Sequence, residues 1–269
     1  MKKFSILAIA FAAIVFAACG GKKSAETTEE VDSLKSFEQQ QIEASIKMHM
    51  DSIAAELGRI QHPSFIQESD KGGFELSKSE KQVKPDYLLA PSIAQKATTL
   101  PEKYRVLSAL SVDKRIAAAY EMPVEEYDEA ITKLVAEIND PSFKDIEKQS
   151  SIFETTSDLY NEMEKNGRIN YFWQLAAAAL VEELYIVNQN SEKFLSTFND
   201  ETASNVTFRI ILVLDAINRL TEYDEEIKPI DEALSPLSVL NATTVAEMKS
   251  QLEAAKDQIV AARNTIVQQ

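Results

Sequence analysis

From Pro91 to the C-terminus the apolar residues recur three and four positions apart, and no segment of the chain alternates apolar and polar residues with period two for long enough to build a sheet. That periodicity favours helices packed on helices. The most regular instance closes the chain: Val245, Met248, Leu252, Ala255, Ile259, Ala262 and Ile266 step strictly by three and four, behind Thr244 and Glu247, which can cap the helix start. The expected fold is all-α, a helical bundle of roughly eight to ten helices with a long N-terminal amphipathic helix.

Proline and glycine mark where these helices begin and end. Pro101 and Pro123 suit first-turn positions, where a missing N–H costs nothing, and predict helices near 101–120 and 123–139. Asp140-Pro141 opens the next, with Phe143, Ile146, Ser150, Phe153, Ser157 and Tyr160 on one face, and Asn166-Gly167 ends it as a left-handed cap. The stretches 169–187 and 206–220 are apolar on most faces, which predicts two central helices, and the run Ala176 to Ala179 would let a neighbour approach closely. Polar residues argue against membrane spans: Gln174, Glu182 and Glu183 in the first, Arg209, Asp215 and Arg219 in the second. Charge on such helices must pair, reach the surface or line a cavity. Glu182, Glu183, Asp215 and Arg219 are therefore the candidate residues of a polar pocket, with a plain Asp215–Arg219 ion pair as the simpler outcome. Tyr171, Phe172 and Trp173 read as core aromatics.

Residues 31–90 read as a long helix plus a polar loop, and 91–269 as the bundle domain. Thr27 and Glu30 can form a capping box opening a helix to about Ile60, whose Ile42, Ile46, Ile53, Leu57 and Ile60 share a face that His49 completes. That face suits docking or a coiled coil, with His49 a packing histidine hydrogen-bonded at a helix interface. Pro63, Gly72-Gly73 and Pro85 then break the pattern, and Lys71, Lys78, Lys81 and Lys84 make 61–90 locally basic: a solvated connection or a contact surface.

Composition removes several function classes. With 28 Lys+Arg against 43 Asp+Glu the formal charge is −15, which makes nucleic acid and anionic headgroups poor partners. The six glycines form neither a phosphate-cradling loop nor a dinucleotide-binding turn. His49, His62 and one cysteine supply no zinc or di-iron spacing, so neither metal nor cofactor is expected. Ser111-Val-Asp-Lys114 has the S-x-x-K spacing of serine penicillin-binding enzymes, but without S-D-N or K-T-G it reads as chance. Residues Glu125 to Ile131, with Leu134 and Pro141, resemble the second helix of a tetratricopeptide repeat, with Ala118 and Tyr120 near first-helix positions; no second copy follows.

The start of the chain carries an address. Met1-Lys2-Lys3 is positively charged, Phe4 to Phe16 is an apolar run of signal-peptide length, and Ala17-Ala18 precede Cys19, the single cysteine. The run is shorter than the roughly 20 residues a membrane span needs. This segment resembles the lipobox of bacterial lipoproteins, with Phe16 where that family usually carries Leu. The resemblance implies that residues 1–18 are a removed leader and that Cys19 is the lipidation site, acylated on its sulfur and amine. Residues 19–30 would then tether the body to the cell envelope. Gly20 in place of Asp implies the outer membrane of a two-membrane cell. Two or more acyl chains anchor stably, because each buried methylene adds about 0.8 kcal/mol.

The expected function is that of a lipid-anchored, non-catalytic helical module holding a protein partner near a membrane, through the 42–60 stripe or the 61–90 loop. The alternative is a binding protein for a small apolar ligand, held in a pocket of about 300 Å³ or more between the two central helices.

Overall fold

Capping side chains set the helix starts. A computed structural model describes residues 44–57, Arg59, 76–143 and 156–267; Cys19, the 19–30 tether, Ile42, Ile60 and the 61–75 part of the basic loop lie outside them, as do Ile146, Ser150 and Phe153. Helix α1 covers 44–57. Ser77 and Glu80 form a capping box opening the short α2, Lys78–Gln82. Thr99 and Glu102 form another, with Pro101 in the first turn, at the head of α3, Leu100–Ala119. Pro123 does not open α4, Glu125–Ile138: Val124 is its cap, and Glu125, Glu126 and Asp128 place negative charge against the positive end of the helix dipole.

Asp140-Pro141 begins a 3-10 turn, Pro141–Phe143, and α5 spans Thr156–Lys165. Next come α6, Ile169–Gln189, and the short α7, Ser191–Phe194. Helix α8, Asp200–Leu220, starts earlier than its apolar run because the Asn199 side chain accepts the Thr202 N–H at 2.8 Å. The chain closes with α9 (Lys228–Leu234), α10 (Val245–Ala254) and α11 (Lys256–Ile266). The described residues contain no strand, and the fold is an all-α helical bundle.

Gly167 terminates α5 as predicted. At φ +67 it lets its own N–H reach the Glu164 carbonyl at 2.9 Å and the Arg168 N–H reach Met163 at 2.7 Å, satisfying two carbonyls the helix leaves open. A Cβ at this position meets nothing within 4 Å, so the backbone conformation alone opposes a side chain. Gly167→Ala is expected to lower the unfolding free energy by about 1 kcal/mol, read as a shift in urea midpoint at constant slope.

Helix α6 is the hub. Helices α3, α5, α8 and α11 pack around it, α4 lies on α3, and α9 rests on α8 and α11. Ala176 to Ala179 are all buried, and the backbones come close enough for the Ser108 hydroxyl of α3 to donate to the Leu175 carbonyl of α6 at 2.7 Å. The expectation of two central helices holds for α6 and fails for α8, whose outer face leaves Phe208 42% and Ile211 46% exposed.

The C-terminal seam is buried from Met248 to Ile266 as its spacing predicts, yet it is broken at Ala255. The Asn188 amide donates to the Leu252 carbonyl at 3.0 Å, and a side chain entering the ladder there accounts for the bend.

Helix α1 buries the face predicted for docking. Met50, Ile53, Ala54 and Leu57 enter the core and Ile46 packs against it, so this stripe is an internal packing surface. Met50, not His49, completes the stripe; His49 stands on its flank and meets Asp215 of α8 at 2.8 Å. The described part of the basic loop is strapped down as well. The Leu89 N–H donates to Asp113 at 2.7 Å, the Tyr127 hydroxyl donates to the Leu89 carbonyl at 2.8 Å, and Lys84 caps the Tyr120 carbonyl at the end of α3.

Candidate functional site

The four polar candidates are distributed over three places. Glu182 and Glu183 are neighbours on a helix that turns about 100° per residue, so they face different partners. Glu182 receives Arg263 of α11 in a two-pronged contact at 2.8 and 2.7 Å, and Glu183 receives Arg209 of α8 at 3.0 Å; all four side chains are buried. Asp215 and Arg219 lie on the half-exposed side of α8, 3.6 Å apart, with His49 closing on Asp215. These residues therefore do not share a pocket: Glu182 and Glu183 are each answered by a neighbouring helix, and Asp215 and Arg219 pair within α8. Gln174 is likewise engaged by Arg105 at 2.7 Å.

A residue outside the candidate set completes the deepest cluster. Asp113 of α3 is fully buried beside Glu182; one carboxylate oxygen accepts the Leu89 N–H, and the other has no donor. Two carboxylates here face one guanidinium. Burial first, and the charge of Glu182 second, push the Asp113 pKa well above the ordinary carboxyl range. Burial raises the Glu182 pKa as well, but the two hydrogen bonds from Arg263 oppose that rise, so of the two carboxyls Asp113 holds its proton more strongly.

Because folding raises the Asp113 pKa, the stability it supplies is complete below the unfolded value near 3.9 and is lost as pH rises toward the folded one. Asp113→Asn keeps a donor toward Glu182 and an acceptor for Leu89. Its stability relative to wild type is expected to grow by about 1.4 kcal/mol per pH unit within that window. Urea unfolding at a series of pH values measures it, and a pH-independent difference would refute the raised Asp113 pKa.

The S-x-x-K pair does not form a reactive couple. The Ser111 hydroxyl donates to its own helix at the Leu107 carbonyl, 2.8 Å, and Lys114 pairs with Asp128 of α4. Among the described residues no group of three or more His, Cys, Asp or Glu is placed to hold a metal ion.

Among the described residues, a site with room for a ligand lies elsewhere. A cleft of about 410 Å³ opens where α1 crosses the first turn of α6 and the end of α8. Ile46, Met50, Ile169 and Leu220 supply its apolar surface; Tyr171, Tyr223 and Asn170 add aromatic and polar groups, and Lys47 and Glu164 stand at its edge. The Tyr171 ring is fixed by stacking on Tyr104, with centroids 4.7 Å apart and planes 7° from parallel. Lys47 is shared between Asp51, at 2.8 Å, and Glu164. Asn170 donates to Asp224 at 3.3 Å, and the Tyr160 hydroxyl ties Asp51 to α5 at 2.7 Å.

The sequence marked α6 and α8 as the pocket-forming pair, and both contribute here, but at one end of the pair and with α1 as the third wall. Met50, Tyr171 and Tyr223 had no signal beyond helical spacing or core-type composition. No family model, curated protein or solved structure matches this chain.

Proposed function

We propose that this protein is a lipid-anchored component of the bacterial cell envelope whose helical body binds a small amphipathic ligand in the cleft between α1, α6 and α8. The cleft carries the reading: its volume falls in the range of small-molecule sites, its surface is mainly apolar, and a few polar groups converge on it. Among the described residues no helix is long and apolar enough to cross a membrane; attachment in this reading rests on acylated Cys19.

Two measurements test it. Mass spectrometry of the N-terminal peptide from native membranes is expected to find Cys19 as the first residue and carrying acyl groups; a free thiol there would remove the anchor. Native mass spectrometry of the full chain in detergent is expected to retain a small molecule that Ile169→Trp, which adds bulk to the cleft wall, displaces. An unliganded wild type that a broad metabolite and lipid panel fails to stabilise thermally would overturn the ligand reading.

A second reading, a non-catalytic module that binds a protein partner, draws on the exposed Phe208 and Ile211, one turn apart on α8. It predicts that Phe208→Lys with Ile211→Lys abolishes partner recovery from solubilised envelopes without lowering thermal stability.

A further inference from the structure

We infer that the ligand of this cleft is an organic cation with an apolar body; this rests on the cleft being a ligand site. The charge around the opening is the reason. Among the described residues Lys47 is the only cation lining the cleft, and both Asp51 and Glu164 hold it, so these three groups leave one negative charge at this edge. Their contacts raise the Lys47 pKa, which keeps that ammonium committed to them. Asp224 adds another negative charge behind Asn170. Arg168 is a further cation beside the cleft, 5.6 Å from the centroid of the lining Tyr171 ring, but it stands 4.0 Å from Asp140, whose charge offsets it.

An anionic ligand entering this cleft meets surplus carboxylate, and a cationic one replaces missing positive charge. Tyr223 is half exposed and lines the same cleft, bringing an aromatic ring, and ammonium groups are attracted electrostatically to such rings. The apolar residues beneath take the rest of the molecule. The acidic surface of the whole chain acts in the same direction, raising the local concentration of cations.

Three probes with one apolar body and different heads separate the possibilities: 4-phenylbutylammonium, 4-phenylbutanol and 4-phenylbutyrate. The full chain, labelled with 13C at the methionine methyl groups, reports occupancy through Met50, which lines the cleft, while exposed Met48 and buried Met248 serve as references. The ammonium probe is expected to bind roughly tenfold more tightly than the carboxylate, with the alcohol between them. That preference should shrink as salt is raised, and Glu164→Gln should reduce it at least about threefold.

Equal binding of ammonium and alcohol, or tightest binding of the carboxylate, would overturn the cationic assignment while leaving the cleft a ligand site. If no probe moves the Met50 resonance and no other small molecule does so, the cleft reading itself fails.

Discussion

Arg263→Met is expected to lower the unfolding free energy by about 3–5 kcal/mol, because it removes one partner of a buried pair and leaves the other charged. The Glu182 side chain is 0% exposed and receives two hydrogen bonds from Arg263. The same guanidinium sits 3.8 Å from the Tyr185 ring centroid and donates to the Tyr87 carbonyl at 3.2 Å. With it gone, Glu182 is left beside Asp113, in a cluster that joins α3, α6, α11 and the segment before Pro91.

The double variant Glu182→Leu with Arg263→Met separates this cause from lost packing. It deletes both charges, and replacement of a buried ion pair by apolar side chains is often neutral, so most of the loss should return, to within about 1–2 kcal/mol of wild type. Chemical unfolding followed by circular dichroism at constant slope measures both. A single-variant loss under about 1 kcal/mol would show that Glu182 takes up a proton in place of its partner.

Trp173→Ala is the second large effect, also about 3–5 kcal/mol, from lost transfer energy and the cavity left behind. Trp173 is fully buried in α6 and meets Phe172 edge-on at 5.1 Å and Tyr160 at 6.2 Å, so the indole fills the joint between α5 and the hub. Among the described residues its N–H has no acceptor. Trp173→Phe therefore loses volume but also relieves an unsatisfied buried donor, and should cost no more than about half as much as the alanine variant. Equal losses for the two would mean that the indole nitrogen has an acceptor on which stability depends. Since this is the chain's only tryptophan, the transition has to be followed by circular dichroism rather than by fluorescence.

Much of the helical plan was legible because its signals are local. The Thr244 cap, the left-handed glycine at 167 and the first-turn Pro101 act within a turn of their own backbone, and the structure places each as read. Pro123 misled because a proline also fits just ahead of a cap, and only the Val124 conformation distinguishes the two. The polar candidates misled for a different reason. Glu182, Glu183, Asp215 and Arg219 look alike on an apolar background, and the direction of each side chain depends on which helix packs against it. His49 was legible as an interface histidine, yet its partner Asp215 stands 166 residues away.

The sequence by itself determined that this chain is helical, about where α3, α4 and α6 begin and end, and that α6 must be buried, because caps, turn residues and apolar spacing operate over one or two turns of backbone. The tertiary structure decided which charges meet, that the α1 stripe is spent on the bundle's own core, and that, among the described residues, a cleft opens at one end of α6 and α8. Those outcomes depend on how helices far apart in the chain approach one another. A residue's spacing along its own helix carries no information about the neighbour that will answer its charge or fill the volume beside it.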